Sequence, residues 1–556
     1  MKTKLLLLAA VCATSLALAD GPSSSPSPQR MLERAKVLAS DEFEGRAPAS
    51  PGEEKTVAYL VSEFKKMGLE PGNPNGTYIQ DVPLVGITST PTLSFTIGGK
   101  PMPMTNINDY VGFTTRVVKH LEQKDSDVVF VGYGVVAPEY NWDDYKGVDV
   151  RGKTVVMLVN DPPVLDPATG QLDPKVFGGK AMTYYGRWMY KYEIAAAKGA
   201  AACIIVHETI PAAYPYAVVV ASNSRENFTL RTPDGNAGHI ALSGWFTLDA
   251  AQRLFAACGQ DYLKLKQSAV SRDFHPVALG AKAAFTVDTT LRNVDSKNVV
   301  AKLTGSDPKL RNEYVVYSAH WDHLGRNPAL TGDQIYNGAD DNASGCAMLL
   351  EVAQTLSLRQ VYAKAHPKRT VVFLSITAEE KGLLGSRFYA RNPLYPLDHT
   401  VANVNTDGAN YYGPTSDVRI IGLGASTLDD DAADVAKGQG RTITPDQAPE
   451  KGSYYRSDHF EFAKLGVPAI YVKRGLNYVG QPAGWGVKFE AEFDLKDYHK
   501  VTDEVKPDWT FGGGAQDAEF LTQLITRVAN TDTWPTWRPG NEFKSKRDAM
   551  MVGAKR

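Results

Sequence analysis

The amino-acid sequence predicts an α/β fold with a mixed, mainly parallel central sheet flanked by helices. Short, continuous apolar runs recur after about residue 298, and segments with helical spacing separate them. Runs of this kind are typical of strands buried on both faces of a sheet, and they lie at 314–319, 370–376, 401–405 and 468–472. A chain of 556 residues with 43% hydrophobic residues also favours more than one domain.

Helical segments are predicted at three places that frame these strands. Apolar residues recur every three or four positions at 31–38 and 57–67, and Gly68 ends the second segment. A third amphipathic helix is expected at 343–356. The alternation of strand, loop and helix supports a layered sheet covered by helices.

The middle of the chain, residues 123–285, is predicted to be a separate module. It contains strand-like runs at 128–136, 153–161 and 201–208, but no cluster of candidate metal ligands. We therefore expect an insertion between two parts of one other domain, residues 30–122 and 286–556.

The N-terminus is typical of a secretory signal. Two lysines precede an apolar run that ends in Ala17-Leu18-Ala19, which predicts a signal peptide at 1–19 and export to the periplasm or the medium. This run is short for a bilayer span and no second one follows, so no stable membrane span is expected. Residues 20–29, rich in serine and proline, are predicted to be a flexible linker.

Charge and cysteine content exclude several classes of function. The formal net charge is −2, and it becomes −4 once Lys2 and Lys4 are removed, with no basic block remaining. Nucleic acid is therefore not an expected partner. The three cysteines that follow the signal peptide allow neither a disulfide scaffold nor a four-thiolate zinc site.

Acidic residues and a histidine recur where the predicted strands end. The carboxyl ends of parallel strands meet at one edge of a sheet, so these side chains are expected to converge there. They are His320 and Asp322 after the first strand, Glu379 and Glu380 after the second, and Asp407 after the third. Any one of these alone is commonly a solvated turn, but their recurrence indicates a site.

Two adjacent aspartates, Asp340 and Asp341, lie in the loop YNGADDNAS, and two further histidines, His459 and His499, follow downstream. Adjacent like charges are tolerated when a divalent cation lies against them. Imidazoles with several carboxylates suit zinc or a related divalent metal. With one shared carboxylate, five ligands could hold a pair of ions, an arrangement typical of hydrolysis.

Five short motifs resemble, in order, those of the co-catalytic zinc exopeptidases of peptidase family M28. They are SAHWDH, NGADDNASG, TAEEKGLLGS, NTDG and YHKVTDE. The resemblance covers most of residues 30–122 and 290–510. It implies an aminopeptidase with two Zn²⁺ per chain, or another divalent metal, that acts on peptides with a free N-terminus.

The resemblance also implies five metal ligands, which are His320, Asp340, Glu380, Asp407 and His499. His320 and Asp407 would bind one ion, and Glu380 and His499 the other. Asp340 would bridge them, whereas Asp341 would only shape the turn.

Three further residues receive catalytic roles from the resemblance. Asp322 would orient His320. Glu379 would be the general base, which takes a proton from the attacking water and passes it to the leaving amine. Tyr498 would stabilise the oxyanion.

Spacing alone does not decide whether His459 or His499 is the ligand. The family motif selects His499, and His459, with Tyr455 and Asp458, would then line the substrate pocket. The remaining histidine of the HWDH motif, His323, is expected to be structural or exposed.

The middle module resembles a protease-associated domain, through GYGVVAPEYNWDDYKGVDVRGKTVVMLVND and AAAKGAAACIIVH. Such a domain would shape access to the site. The aromatic segment MTYYGRWMYKY, residues 182–192, could form a lid or could simply pack between domains, and the sequence favours neither.

Alternatives to an aminopeptidase remain open. A carboxypeptidase or dipeptidase on the same scaffold would need a cation for the substrate carboxylate, and Lys473-Arg474 could supply it. A non-catalytic binding protein and a single-zinc cyclase are disfavoured, since every expected ligand is present.

Overall fold

The structure is a computed structural model that describes residues 24–554. The predicted signal peptide lies outside the described residues. The predicted linker 20–29 overlaps the first helix, which begins at Pro28 because the Ser27 hydroxyl accepts a hydrogen bond from the Arg30 amide and caps it. Among the described helices, none is long and apolar enough to cross a membrane.

The chain alternates strands and helices, in agreement with the predicted α/β class. The strands are β1 (Glu70–Pro71), β2 (Ile79–Ile97), β3 (Lys100–Met104), β4 (Tyr110–Phe113), β5 (His120–Phe130), β6 (Val136–Ala137), β7 (Trp142–Asp143), β8 (Thr154–Leu158), β9 (Ala202–Val206), β10 (Asn227–Leu230), β11 (Leu242–Phe246), β12 (Val277–Leu303), β13 (Tyr314–His320), β14 (Gly325–Arg326), β15 (Ile335–Tyr336), β16 (Thr370–Ile376), β17 (Thr400–Thr406), β18 (Asp417–Ile421), β19 (Thr442–Pro445) and β20 (Ala469–Arg474). The helices are α1 (Pro28–Leu38), α2 (Pro51–Lys66), α3 (Trp188–Ala197), α4 (Thr209–Ala212), α5 (Tyr216–Asn223), α6 (Leu248–Ala257), α7 (Tyr262–Ser268), α8 (Gly345–Tyr362), α9 (Leu384–Arg391), α10 (Leu428–Gly438), α11 (His459–Lys464), α12 (Trp485–Lys496), α13 (Gly512–Asn530) and α14 (Lys544–Ala554).

One extended sheet runs through both halves of the molecule, in the order β19-β18-β20-β17-β13-β16-β12-β5-β8-β9-β11-β4. Strands β16, β13, β17 and β20 are parallel neighbours, and so are β5, β8, β9 and β11. Between these blocks, β12 pairs with β16 and β5 in antiparallel fashion and forms a long antiparallel ribbon with β2. The predicted fold class, a mixed and mainly parallel sheet, is confirmed.

Each parallel block has its own hydrophobic core. Helices α1, α2, α8 and α13 pack on β13, β16 and β17 around buried residues such as Met31, Leu349 and Phe520. The middle block is packed by residues that run from Leu93 to Val287. This second core includes the predicted module 123–285, together with a stretch that precedes it.

The two halves meet at the aromatic segment 182–192, for which the sequence predicted either a lid or a contact between domains. The ring of Tyr184 lies 5.1 Å from Phe460 and 6.1 Å from Tyr455, between ring centroids. Lys464 Nζ forms an ion pair of 2.6 Å with Glu193 of the middle module. Tyr184 therefore packs between the two halves, which is the role that the sequence allowed as the alternative to a lid.

Candidate metal centre

Three parallel strands end at the same edge of the sheet. β13 ends at His320, β16 is followed closely by Glu379 and Glu380, and β17 is followed by Asp407. β13 pairs in parallel with both of the other strands. These side chains therefore lie together, as expected from their positions at strand ends.

The carboxylate of Asp341 lies between two histidines at this edge. Its Oδ1 is 3.3 Å from His320 Nε2, and its Oδ2 is 3.2 Å from His499 Nε2. His320 Nε2 is also 3.4 Å from Asp407 Oδ1, and His499 Nε2 is 3.2 Å from Glu380 Oε2. The cluster thus divides into two groups that share one carboxylate.

These spacings fit divalent ions. A tetrahedral zinc site with bonds of about 2.0–2.1 Å places neighbouring ligand atoms about 3.3 Å apart. Candidate ligand atoms of His320, Asp341 and Asp407 lie within 4.8 Å of one another, as do those of His323, Asp341 and Glu380. Imidazole nitrogen with carboxylate oxygen is a donor set that suits zinc. The residues present therefore fit a pair of ions.

Asp340, the predicted bridging residue, does not lie between the two histidines, whereas its neighbour Asp341 does. Arg474 donates from Nη1 to Asp340 Oδ1 at 2.9 Å and from Nη2 to Oδ2 at 2.8 Å. The Tyr411 hydroxyl is 3.3 Å from Oδ2. A carboxylate held in this bidentate fashion is already neutralised within the chain. Because Arg474 is paired with Asp340, it is not available to bind the carboxylate of a substrate.

The loop that presents Asp341 is fixed by Asp503, a buried residue of the YHKVTDE motif. Asp503 Oδ1 accepts from the Asp340 amide at 2.9 Å, and Oδ2 accepts from the Asp341 amide at 3.2 Å. Ser344 donates from its hydroxyl to the Asp340 carbonyl at 2.8 Å. Sequence reasoning gave Asp503 no role, although its place in the motif was a usable signal.

Asp322 holds the backbone of the glutamate pair more directly than it holds His320. Its Oδ1 accepts from the Glu379 amide at 3.0 Å, and its Oδ2 from the Glu380 amide at 3.4 Å. The same Oδ1 is 3.8 Å from His320 Nδ1, which is 3.2 Å from the Asp322 carbonyl oxygen. Burial raises the pKa of Asp322 to about 7, against the opposing charge of His320.

Electrostatics in the cluster are dominated by burial and by facing charges. Burial raises the pKa of Glu379 well above its usual range; His320 opposes this shift and Asp407 adds to it. Burial alone would lower the pKa of His320, but Glu379, Asp341 and Asp407 together raise it well above the ordinary value. Perturbed groups of this kind in one place are typical of functional sites.

His323, which was expected to be structural or exposed, is buried beside the cluster. It is fully buried, and its Nδ1 is 2.7 Å from Glu380 Oε1. A continued strand would have pointed His323 away from His320. However, β13 ends at His320, and the His323 amide donates to the Arg46 carbonyl at 3.3 Å instead of to a strand.

Tyr498 and His499 lie together on the loop after α12. Their rings stack with centroids 3.9 Å apart. Burial raises the pKa of Tyr498 well above its usual range, and Arg456 opposes the shift. His499, and not His459, contacts the carboxylates of the cluster.

The three predicted substrate-pocket residues lie at different places. His459 is buried between the rings of Tyr454 and Tyr471, and burial lowers its pKa to about 3, so it is neutral. Asp458 is buried beside it, and burial raises its pKa to about 7. Tyr455 faces the middle module and donates to Glu542 Oε1 at 2.8 Å, so it does not line the metal cluster.

Residues 298–518 match the sequence profile of peptidase family M28. A probable zinc metalloprotease from Pyrenophora teres f. teres is 35% identical over 111 residues, which are 20% of this chain and 20% of that protein. An aminopeptidase from Mus musculus is 32% identical over 130 residues, which are 23% of this chain and 16% of that protein. The chain therefore spans about a fifth or less of the length of these curated relatives.

Solved structures of similar proteins include an aminopeptidase from Aneurinibacillus sp. strain AM-1. It covers 92% of this chain and 96% of its own length, with a TM-score of 0.49 and 18% identity. A zinc aminopeptidase from Bacillus subtilis covers 92% and 97%, with a TM-score of 0.42 and 16% identity. The region that matches the profile of peptidase family M28 contains every candidate ligand from His320 to His499.

Proposed function

We propose that the protein is a dinuclear zinc aminopeptidase that removes N-terminal residues from peptides. The observation that carries this proposal is the carboxylate of Asp341, which faces His320 at 3.3 Å and His499 at 3.2 Å. One carboxylate shared by two groups of nitrogen and oxygen donors is suited to a pair of divalent ions. The match to peptidase family M28 and the names of the relatives support the same activity.

In this proposal His320 and Asp407 would hold one ion, Glu380 and His499 would hold the other, and Asp341 would be shared. Ions bound there supply Lewis acidity, which lowers the pKa of water and polarises the scissile carbonyl. The hydrogen bond between His323 and Glu380 orients one oxygen of that ligand and leaves the other free to face His499.

Glu379 is the general base in this proposal. It accepts a proton from the attacking water and donates it to the departing amine. Burial raises its pKa above the usual range of a glutamate, which makes the carboxylate a stronger proton acceptor. Asp322 holds the Glu379 amide and so keeps the side chain directed at the cluster.

Substrate contacts come from the surrounding side chains. Tyr498, stacked on His499, is placed to donate a hydrogen bond to the developing oxyanion. Glu379 also offers a carboxylate to the free amine of the substrate. His459, neutral and buried, forms part of the wall of the substrate pocket.

Zinc analysis combined with assays on N-terminal amino-acid p-nitroanilides tests the proposal. Chelation should abolish activity and zinc should restore it, with two zinc ions per chain. Glu379→Gln should lower kcat by about 10²–10⁴-fold while both ions are retained. The matched control is Glu54→Gln on α2, an exposed carboxylate, which should change neither property. Unchanged turnover in Glu379→Gln would contradict the mechanism.

A carboxypeptidase or dipeptidase is the second candidate, and Arg456 favours it. Tyr498 and Glu379 raise the pKa of Arg456, which places it near the catalytic groups. Among residues 24–554, no carboxylate forms an ion pair with it. Cleavage of N-blocked peptides with a free C-terminus, and not of N-terminal p-nitroanilides, would select this function.

We further propose that the protein is exported and that the middle module acts as a protease-associated domain that shapes access. The predicted signal at 1–19 supports export, and the contact of Tyr184 with Phe460 supports a wall beside the catalytic half. N-terminal sequencing of protein from the periplasm or medium should start at Asp20. A mature chain that starts at Met1 would exclude this processing.

A further inference from the structure

Arg46 is a fully buried arginine whose guanidinium bonds to backbone carbonyls. Nε donates to the Trp321 carbonyl at 2.9 Å. Nη1 donates to Leu38 at 2.7 Å and to Asn337 at 2.6 Å, and Nη2 donates to Gly338 at 2.8 Å. Buried arginines usually pair with a carboxylate. Arg46 instead uses its fixed fork of donors to join separate pieces of backbone.

Three of the four bonded carbonyls belong to the two loops that carry candidate ligands, and the fourth, that of Leu38, ends α1. Trp321 lies between His320 and Asp322, at the end of β13. Gly338 lies three residues before Asp341, in the loop that leads into α8. Arg46 therefore connects the first histidine of the cluster to its shared carboxylate, although neither of these side chains touches it.

The backbone around Arg46 is shaped to fit between these loops. Gly45 has a φ of 67°, and a Cβ there would lie 2.5 Å from the carbonyl oxygens of Gly325 and Tyr336. Asn337 donates from Nδ2 to the Ala39 carbonyl at 2.9 Å. A side chain at position 45 would thus push the N-terminal segment out of this place, and Arg46 with it.

The charge of Arg46 also faces the acidic cluster from behind. Burial lowers the pKa of Arg46, while Asp503, Asp341 and Asp322 act in the opposite direction. A buried cation at this position offsets part of the repulsion between the carboxylates. Arg46 does so without bonding to any candidate metal ligand, since all its side-chain hydrogen bonds go to backbone carbonyls.

We propose that Arg46 is a positioning residue for the metal centre, which sets the separation between the His320 loop and the Asp341 loop and thereby the affinity for zinc. This inference rests on the proposed dinuclear function. It assigns the N-terminal segment 38–47 a role in building a site whose ligands all come from residues after 319.

The test is the zinc affinity of the metal-free chain, measured by competition with a chromophoric chelator. Arg46→Ala should bind zinc about 10–100-fold more weakly than the natural chain, the range expected for residues that orient metal ligands. Arg46→Lys, which keeps the charge but loses the fork, should lie between them. Millimolar guanidinium chloride, but not sodium chloride, should restore affinity to Arg46→Ala by filling the vacated space.

The matched control is Arg369→Ala. Arg369 is equally buried, pairs with Glu313 at 2.6 Å and bonds to the carbonyl of Val528 at 3.4 Å. It precedes β16, at the end of that strand opposite to the ligands. Arg369→Ala should therefore lower the melting temperature without changing zinc affinity, and guanidinium should have no effect on its binding.

Circular dichroism establishes that each variant is folded. Natural affinity in folded Arg46→Ala, or in folded Arg46→Lys if the alanine variant does not fold, would overturn the inference. An equal loss in Arg369→Ala would also overturn it, since the effect would then be general stability. Absence of zinc binding in the natural chain would instead refute the proposed function.

Discussion

The sheet buries ionisable side chains in two places, and their arrangements are opposite. In the middle module, Lys191 of α3 is fully buried, with Asp144 and Asp161 nearby. At the strand ends of the catalytic half, histidines and carboxylates meet around Asp341. Both groups lie in the same kind of parallel sheet, so the fold alone does not distinguish them.

The Lys191 group is satisfied by its own surroundings. Lys191 Nζ donates to the carbonyls of Tyr133 at 2.6 Å and Asn160 at 3.0 Å. Both carboxylates accept from neighbouring groups: Asp144 from the Val135 amide at 2.8 Å and from Trp142 Nε1 at 2.7 Å, and Asp161 from the amide and hydroxyl of Thr183, each at 2.7 Å. Such a group is complete without any added ion.

The side chains of the Asp341 group converge on one centre. Its carboxylates face histidine Nε2 atoms across 3.2 to 3.4 Å, which is longer than a strong charged hydrogen bond. The adjacent Asp340, by contrast, is satisfied by Arg474 at 2.8 Å. We infer that buried charge completed by local donors supports the fold, whereas buried charges that face one another across such distances indicate an ion-binding site.

The largest expected effects are those of substitutions at the neighbouring residues Asp340 and Asp341. Asp341→Asn removes the shared negative charge, so it should lower activity by more than about a hundredfold and reduce the zinc content below two per chain. Asp340→Asn leaves the buried Arg474 without its charged partner, and should instead destabilise the fold by about 3–5 kcal/mol. Metal analysis and urea unfolding measure the two effects. Zinc loss in Asp340→Asn with full zinc in Asp341→Asn would reverse our assignment.

Lys191→Met tests the inference that the Lys191 group supports the fold and not ion binding. It leaves Asp144 and Asp161 buried without their cation, so the free energy of unfolding should fall by about 3–5 kcal/mol. The zinc content and kcat of the folded fraction should not change, because the Lys191 group lies in the middle module. Urea titration and steady-state kinetics at a temperature where the variant is folded would show this. A drop in zinc content would connect the two groups and remove the distinction.

Chelation should act on only one of the two regions. An ion at a thousandfold excess over its Kd stabilises the folded state by about 4 kcal/mol. Hydrogen exchange should therefore increase on chelation in the loops around His320 and Asp341, and remain unchanged in α3. Thermal scans of the same samples should show a lower melting temperature. An equal increase in hydrogen exchange in both regions on chelation would mean that the ions are not bound locally at the cluster.

The parts of this structure that follow from local pattern could be predicted. β16 was predicted with its observed bounds, and β13 and β17 to within one residue at each end, because continuous apolar runs mark buried strands. The ribbon of β2 and β12 was not predicted. β2 contains Pro83 and Pro91, residues that normally argue against a strand.

The convergence of the site was also predictable, but the assignment within the aspartate pair was not. Strand ends meet for topological reasons that sequence order reveals. Which of Asp340 and Asp341 faces the histidines depends on Arg474, 134 positions later, and on Asp503, whose carboxylate holds both amides. Local sequence contains neither of these contacts.

The smallest expected effect is that of a substitution at Glu542. This residue lies at the boundary of the two halves and extends the comparison of buried charges to that boundary. Its carboxyl has the Tyr455 hydroxyl as a donor at 2.8 Å, and burial raises its pKa to about 8 from 4.5. The folded state therefore keeps the proton that the unfolded state has lost, and stability from this group falls as pH rises through about 8. Relative to Glu542→Gln, the natural chain should lose about 1 kcal/mol between about pH 5 and about pH 9, after allowance for partial exposure. Urea midpoints of both proteins at the two pH values measure this difference, and a constant difference would mean that Glu542 is hydrated and belongs to neither class of buried charge.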